Sequence, residues 1–537
     1  MPDVKHPILN LSWSKASAGS SAAYGTPSLA RLAYNRLGFG PRPSDPDFGN
    51  DWNAFVAYVD AQLNYTSIDD SACDALVNKL DRHDYGGLLM PPLDAGPAAI
   101  EAYRQLAEQN NVYAPYTLFY YLGDATYARA VFSRRQLFQV MVDFWTNHFN
   151  TLPVNSYKAW EDYYVMRRYA LGNFRDLLGA DAQSPVMLQY LSNTYNDGGN
   201  PNENYAREIM ELHTLGSINR IPGHAWYGKP NYTEEDVHNV ALIFSGWTTF
   251  NSAYGEFRFN DTPSYPIHDV GKKHLKLDHL NYTYNFKKGG IQQGEKLLDI
   301  LARHPSTAYR IARKLCQRFI SDNPETFCPG AINAGMNAFL TTQGNLAATV
   351  RALLLYQAPG ADFASSWGQK VKRPFEFFVG AMRALNVSTY PPPFSGTDTW
   401  EWHTFSQYLG QELFSCPPPT GYPDVIPVWW NSNQLFGRWE LANTLVQRCF
   451  DAQYDDQPPT NNALDLWIGN NGAPPTAAAV VSRLIKFCIG YAIDPADESN
   501  FANYLGGGVA TTPITSANPR LRPLIAVLLA SSYSQWR

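Results

Sequence analysis

The stretch of the chain richest in groups that could do chemistry is a helix predicted over residues 203–215. Among its apolar residues it carries three carboxylates and one guanidinium, from Glu203, Arg207, Glu208 and Glu211. On a 3.6-residue period, Glu208 and Glu211 share a face. Buried carboxylates are costly unless they are paired or bind a metal. Two interpretations follow: ion pairs of Arg207 with Glu203 and Glu211, or carboxylates that serve a metal ion or acid/base catalysis.

Two histidines supply nitrogen donors that complement these carboxylates. His148 ends a predicted apolar helix, where a histidine is either a hydrogen-bonded core residue or a metal ligand. His268 precedes Asp269 in a loop, so this pair forms either a simple turn or part of a metal site. Imidazole and carboxylate together bind iron, zinc, manganese or copper. We therefore predict a divalent metal ion held by His148, Glu208 and His268. Acid/base or supporting groups in this prediction are Asp269, Glu203 and Glu211.

Other catalytic patterns are weak or missing. Glu235 and His238 have the spacing of a di-iron ligand pair, but the second such pair that this chemistry needs is not in the sequence. We interpret His238 as part of a solvated helix face. His213 is either a ring stacked at a helix end, which we favour, or a metal ligand. The sequence also lacks a GxSxG elbow, a Walker loop, a GxGxxG turn and an HExxH motif.

The elements that must position these residues are predicted to be helices. Apolar residues recur at three- and four-residue spacing almost everywhere past residue 27. Thr233 and Asp236 form a predicted capping box, and Gly216 and Gly246 mark two helix ends. Residues 247–259 alternate modestly and predict one hairpin or meander. The predicted fold is mainly α, an irregular multi-helix array with one small β insertion.

Composition bounds the class of protein and its domains. The 537 residues include 45% hydrophobic, 17% charged and 14% aromatic residues, which suits a large core and argues against disorder. We predict a flexible tail over residues 1–27, a main helical domain over 28–387 and a C-terminal helical lobe with Pro-rich loops over 388–537. The aromatic residues either fill cores and surface loops or line a pocket for a flat or sugar-like ligand.

Charge and cysteine content narrow the partners and the compartment. The net charge of −6 without a basic run argues against nucleic acid, and no apolar run is long enough for membrane insertion. An export signal is missing, so the sequence as written indicates a cytoplasmic protein, or an exported one whose leader was removed. We interpret the six cysteines as mainly free thiols, although Cys316 and Cys328 are close enough along the chain to form a disulfide.

Five parts of the chain carry distinctive motifs: ARLAYNRLGFGP (30–41), DFWTNHF (143–149), NENYAREIMEL (202–212), HDVGKK (268–273) and LGQ with GYP (409–411 and 421–423). These segments resemble those of the bacterial family catalogued as domain of unknown function 1800. They cover almost the whole chain in the family's order. The resemblance implies no established reaction. It does imply an exported protein, often encoded beside a sulfatase-like partner, and the missing export signal departs from that pattern.

These observations predict a metal-dependent enzyme with a His/Glu site between helices. We favour an oxidoreductase acting on an aromatic or polyketide-like small molecule, because Trp and Tyr are abundant around the candidate helices. A metal-dependent hydrolase, or a cyclase that uses the same carboxylates as acids, is the first alternative. The second is a non-enzymatic carbohydrate or cell-surface binding protein, which would use aromatic loops near residues 390–402 and 427–430.

Overall fold

The chain is mainly α-helical, as the apolar spacing predicts. The computed structural model describes residues 25–84, 86–250, 255–262, 267–277, 284–387, 406–450, 468 and 474–537. Within these ranges the β structure in strands consists of two small antiparallel sheets of two strands each. None of the helices found there has both the length and the apolar composition needed to cross a membrane. The predictions for the tail before residue 25 and for the loop 390–402 lie outside the described residues.

The helices of the first half of the chain are between 4 and 19 residues long. They are α1 (Leu29–Arg36), α2 (Trp52–Leu63), α3 (Ser71–Val77), α4 (Pro97–Gln109), α5 (Ala114–Phe132), α6 (Gln136–His148), α7 (Lys158–Glu161), α8 (Phe174–Ala182), α9 (Pro185–Tyr190), α10 (Glu203–Glu208) and α11 (Glu234–Phe244). Two of them continue into π-helical turns, α7 through Asp162–Arg167 and α10 through Ile209–His213.

The helices of the second half of the chain lie after residue 291. They are α12 (Gln292–Arg303), α13 (Pro305–Phe319), α14 (Pro324–Phe327), α15 (Pro329–Thr341), α16 (Leu346–Leu354), α17 (Pro374–Ala384), α18 (Ile426–Trp429), α19 (Ser432–Phe450), α20 (Ala477–Leu484), α21 (Pro495–Leu505) and α22 (Leu521–Ala530). A π-helical turn, Ile485–Ile489, extends α20.

Local sequence explains where the helices around the candidate site begin. The Thr233 hydroxyl accepts from the Asp236 amide, and the Asp236 carboxylate accepts from the Thr233 amide, which confirms the predicted capping box of α11. The Asn202 side chain caps α10 by accepting from the Asn204 amide. Proline at the first position of α13 suits a helix start, because that position needs no amide donor.

The predicted β insertion is present, and a second hairpin follows it. Strands β1 (Trp247–Thr249) and β2 (Phe257–Phe259) pair antiparallel within the predicted range. Strands β3 (Lys273–Leu275) and β4 (Tyr284–Phe286) form the second pair, which the sequence analysis did not predict. Three-residue strands are too short to show a reliable period of two, so their sequences carry almost no strand signal.

The chain divides into two compact units that alternate along the sequence. The first unit comprises Met1–Phe55, Trp367–Gly396 and Val425–Arg537, and the second comprises Val56–Ser366 and Thr397–Asp424. Every residue of the candidate site belongs to the second unit. The boundary at residue 388 that the sequence suggests lies outside the described residues, and the proposed domains stay a prediction.

Candidate functional site

His148 lies at the buried end of α6 and contacts two polar groups. It is only 1% exposed, and its ring packs edge-on against Phe149. Its Nε2 atom lies 3.1 Å from the His213 carbonyl oxygen, and its Nδ1 atom lies 2.7 Å from the Lys314 amine. Burial and then the nearby charge of Lys314 lower the pKa of His148 well below its ordinary value. The neutral ring therefore donates from Nε2 to the carbonyl and accepts from Lys314 at Nδ1.

Cationic side chains gather at the C-terminal end of the α10 segment. The Arg310 guanidinium donates to the Leu212 carbonyl oxygen over 3.2 and 3.3 Å, beside the bond from His148 to the His213 carbonyl. Gly216 ends the segment with φ of +80°, which favours glycine. Carbonyl groups at a helix C-terminus carry partial negative charge, so donors and cations are stabilising there.

Lys314 and Arg310 are one turn apart on α13, and both are partly exposed. Burial, followed by the charges of Arg310 and Arg313, lowers the pKa of Lys314 well below that of an ordinary lysine. Arg313 differs from its neighbours because it has a carboxylate partner, Glu325, at 3.0 Å. Among the described residues, Lys314 has no carboxylate within ion-pair distance, and its one hydrogen bond goes to His148.

The three carboxylates of the α10 segment have different surroundings. Glu208 is half-buried, and burial followed by the charge of Glu211 raises its pKa. Glu211 accepts a 2.7 Å hydrogen bond from the Tyr232 hydroxyl. Glu203 instead lies on an outer face, 3.4 Å from His238 and 3.8 Å from Arg207. The ion pair of Arg207 with Glu203 is thus as the structural interpretation predicted, whereas no Arg207–Glu211 pair forms. The stronger partner of Arg207 is Glu234, with two bonds of 2.6 and 2.9 Å.

The His268–Asp269 pair belongs to a different polar cluster, which joins the hairpins to α12. The His268 ring nitrogens lie 2.8 Å from the Ser245 carbonyl oxygen and 3.1 Å from that of Gly289. Burial works to raise the pKa of Asp269, but the Lys273 ammonium at 2.9 Å and the Gly271 amide outweigh it and lower that pKa. Lys273 is 1% exposed and also donates to Gln293 over 2.7 Å. The arrangement is that of a turn held by a buried lysine.

The structure brings together some of the predicted site residues but not all of them. His148 meets the α10 segment through a backbone carbonyl of that segment, and its two ring nitrogens are both engaged by protein atoms. Both ring nitrogens of His268 likewise face protein carbonyls. Within the described ranges, no group of three or more His, Cys, Asp or Glu side chains is arranged to hold a metal ion. The donors of His148 and His268 as placed here do not fit a shared metal, and the site of His148, Glu208 and His268 stays a prediction.

A loop that carries the GYP motif is fixed against the end of α6. The Asn147 side chain donates to the Tyr422 carbonyl and accepts from the Tyr422 amide, over 2.9 and 2.7 Å. The Asn150 side chain donates to the carbonyls of Cys416 and Pro418. Gly421 has φ of +73°, and a Cβ atom there would overlap the Asn147 carbonyl oxygen. The NHF and GYP motifs are therefore structural partners that enclose the His148 end of the site.

A buried network behind the site contains groups that the sequence analysis did not nominate. Lys158 and Glu161 form an ion pair of 2.6 Å with side chains 4% and 0% exposed. Thr151 and Ser184 donate to the same carboxylate over 3.0 and 2.7 Å. Asp181, also 0% exposed, lies near this network, and burial followed by the charge of Glu161 raises its pKa well above the ordinary value. The sequence signal for Asp181 was weak, because it is one of two acids in α8, and only its apolar neighbours distinguish it from the exposed Asp176.

The comparisons with known proteins identify a family and nothing further. The model of a family described as a protein of unknown function, DUF1800, matches residues 32–536. No curated protein matches the chain. No solved structure matches it either.

Proposed function

Because the chain belongs to the DUF1800 family, whose description assigns no reaction, we propose a function from the site geometry alone: an enzyme that removes a proton from a small anionic molecule, with Lys314 as the general base. The observation that carries the proposal is the 2.7 Å contact between the partly exposed Lys314 amine and the buried, neutral His148. A general base needs a lone pair at neutral pH, access to substrate and a group that stabilises its protonated form. The lowered pKa of Lys314, its partial exposure and its contact with His148 support these requirements.

The His213 carbonyl determines which nitrogen of His148 faces the lysine. Because Nε2–H donates to that carbonyl, the neutral ring must present the lone pair of Nδ1 to Lys314. When the amine takes a proton from substrate, Nδ1 continues to accept one N–H of the new ammonium group. His148 is therefore a positioning residue, and Lys314 is the residue that meets the substrate.

The neighbouring charges support both the base and the class of substrate. Arg310 and Arg313 disfavour the protonated form of Lys314, which keeps its amine available. The same cations attract a carboxylate or phosphate group, and guanidinium groups bind such anions well. The Glu211 carboxylate, held by Tyr232, lies within electrostatic range of Arg310 and limits the net positive charge.

Selective chemical labelling of lysine amines tests the proposal without knowledge of the substrate. The intact protein is acetylated with trace acetic anhydride across a pH series, and each lysine peptide is quantified by mass spectrometry. Lys314 should react with a midpoint well below that of an ordinary exposed lysine. Arg310→Met should raise this midpoint, because it removes a nearby cation.

A control substitution distinguishes the loss of a cation beside Lys314 from the loss of a positive charge elsewhere. Arg303 is exposed and lies on α12, so Arg303→Met should leave the Lys314 midpoint unchanged. Circular dichroism of each variant checks that the fold is retained. A Lys314 midpoint equal to that of an ordinary exposed lysine would overturn the proposal.

A further inference from the structure

A second polar centre lies inside the second unit, next to His213. Asp181 on α8, Tyr205 on α10 and His213 on the π turn are each 0% exposed. Both carboxylate oxygens of Asp181, both ring nitrogens of His213 and the Tyr205 hydroxyl are buried without a hydrogen-bond partner among the described residues. Polar atoms buried without partners cost several kcal/mol in total, on the order of 1–3 kcal/mol each. A bound ion or bound water molecules would supply the partners that the described residues do not.

The spacing of these atoms suits one intervening ion. The His213 Nδ1 atom lies 3.9 Å from an Asp181 carboxylate oxygen, which is too long for a hydrogen bond. Metal–nitrogen and metal–oxygen bonds of about 2.0–2.2 Å place two ligand atoms about 3.4 Å apart at a tetrahedral angle and up to about 4.2 Å apart on opposite sides of an ion, so the observed separation corresponds to a wide angle at the ion. Tyr205 is close enough to Asp181 for the charge of the carboxylate to act on its hydroxyl.

The π turn explains why Tyr205 and His213 face the same way. In a regular α-helix, residues eight positions apart point about 80° away from each other. A π turn holds one extra residue, so His213 falls where the seventh position after Tyr205 would be, within about 20° of its direction. Insertions of this kind are frequent at functional sites.

From these observations we propose that Asp181, His213 and Tyr205 hold a divalent transition-metal ion inside the second unit. Carboxylate, imidazole and phenolate are the nitrogen and oxygen ligands that such ions take, and water molecules would complete the shell. An ion would also balance the local charge, because the Lys158 ammonium is already paired with Glu161 while Asp181 has no cation of its own. The site is distinct from Lys314, which contacts none of the three ligands.

Cobalt(II) is a suitable probe, because its visible absorption reports coordination. Protein stripped of metal with a chelator is titrated with cobalt, and absorbance and bound metal are both measured. The parent chain should bind one ion. Asp181→Asn and His213→Gln should weaken binding by at least about 100-fold, more than the roughly 10–100-fold typical of outer-shell losses. Asp176→Asn and His238→Gln, at exposed positions of α8 and α11, are matched controls that should bind as the parent does.

Thermal melting gives a second reading on the same proteins. Added cobalt should raise the melting temperature of the parent by mass action but not that of Asp181→Asn. Tyr205→Phe, which removes only a hydroxyl, decides the matter if the other variants fail to fold, and should also bind cobalt more weakly. The proposal is overturned if the parent binds no cobalt or if the ligand variants bind it normally. Lys314 labelling is performed on metal-free protein, so it can succeed or fail independently.

Discussion

The buried Lys158–Glu161 pair allows the sharpest test of the energetics behind the site. Lys158→Met removes the ammonium but keeps most of the side-chain volume. Glu161 then remains buried at 0% exposure, with hydrogen bonds from Thr151 and Ser184 but without its cation. Removing one partner of a buried ion pair costs about 3–5 kcal/mol, because the remaining charge is left uncompensated. We expect the free energy of unfolding of the second unit to fall by that amount.

The stability lost in Lys158→Met should depend on whether residue 161 keeps its negative charge. Lys158→Met combined with Glu161→Gln leaves a neutral amide in place of the carboxylate, so the double variant should lose less than the sum of the two single changes. This result is expected if the uncompensated carboxylate is the source of the loss.

Urea unfolding, followed by circular dichroism and by tryptophan fluorescence, measures these differences. Two probes are needed because a chain with two compact units can unfold in more than one step. Lys79→Met, at an exposed position, should change stability by no more than about 0.5 kcal/mol and serves as the control. A loss below about 1 kcal/mol for Lys158→Met would refute the reasoning, because that is the value of a solvent-exposed pair.

Two further predictions concern the loop and the pH response of the site. Gly421→Ala should destabilise the loop by more than about 1 kcal/mol, because the positive φ of Gly421 and its contact with the Asn147 carbonyl exclude a Cβ atom. Limited proteolysis of residues 416–424 should therefore be faster in this variant. Unchanged cleavage would contradict the contact. The pKa of His148 is lowered, and burial lowers that of His213 to about 3, so in the folded state both rings stay neutral where the unfolded chain takes up protons. The free energy of unfolding should therefore be highest above the ordinary histidine pKa of 6.5 and should fall as pH drops below it, by up to about 1.4 kcal/mol per pH unit for each ring. Urea unfolding across a pH series should show a smaller fall for His148→Gln. An unchanged slope in that variant would contradict a buried neutral ring.

Much of the architecture was predictable because helix periodicity and capping are local signals. The α11 capping box and the hairpin after it lie where their residues indicate. The second hairpin was missed, since strands of three residues leave no pattern to detect.

The site was predictable only in part. The sequence pointed to His148 and to the α10 segment, and these two do meet, but through the His213 carbonyl. The 3.6-residue period that grouped Glu208 with Glu211 assumes a regular helix, whereas the chain changes to a π turn after Glu208. A single extra residue per turn rotates everything that follows, and composition does not reveal it. Lys314 was missed because a lysine on a helix that also carries three arginines is usually solvated.

His213 belongs to both polar centres, the one at Lys314 and the one at Asp181. Its carbonyl oxygen receives the bond from His148, and its imidazole is directed toward Asp181. A peptide that takes part in two equilibria links them thermodynamically, so each equilibrium shifts the other by the same factor. Binding of an ion beside Asp181 would then shift the proton affinity of Lys314, and protonation of Lys314 would shift the affinity for the ion by the same factor. The pKa of Lys314 would therefore depend on whether the buried centre holds an ion.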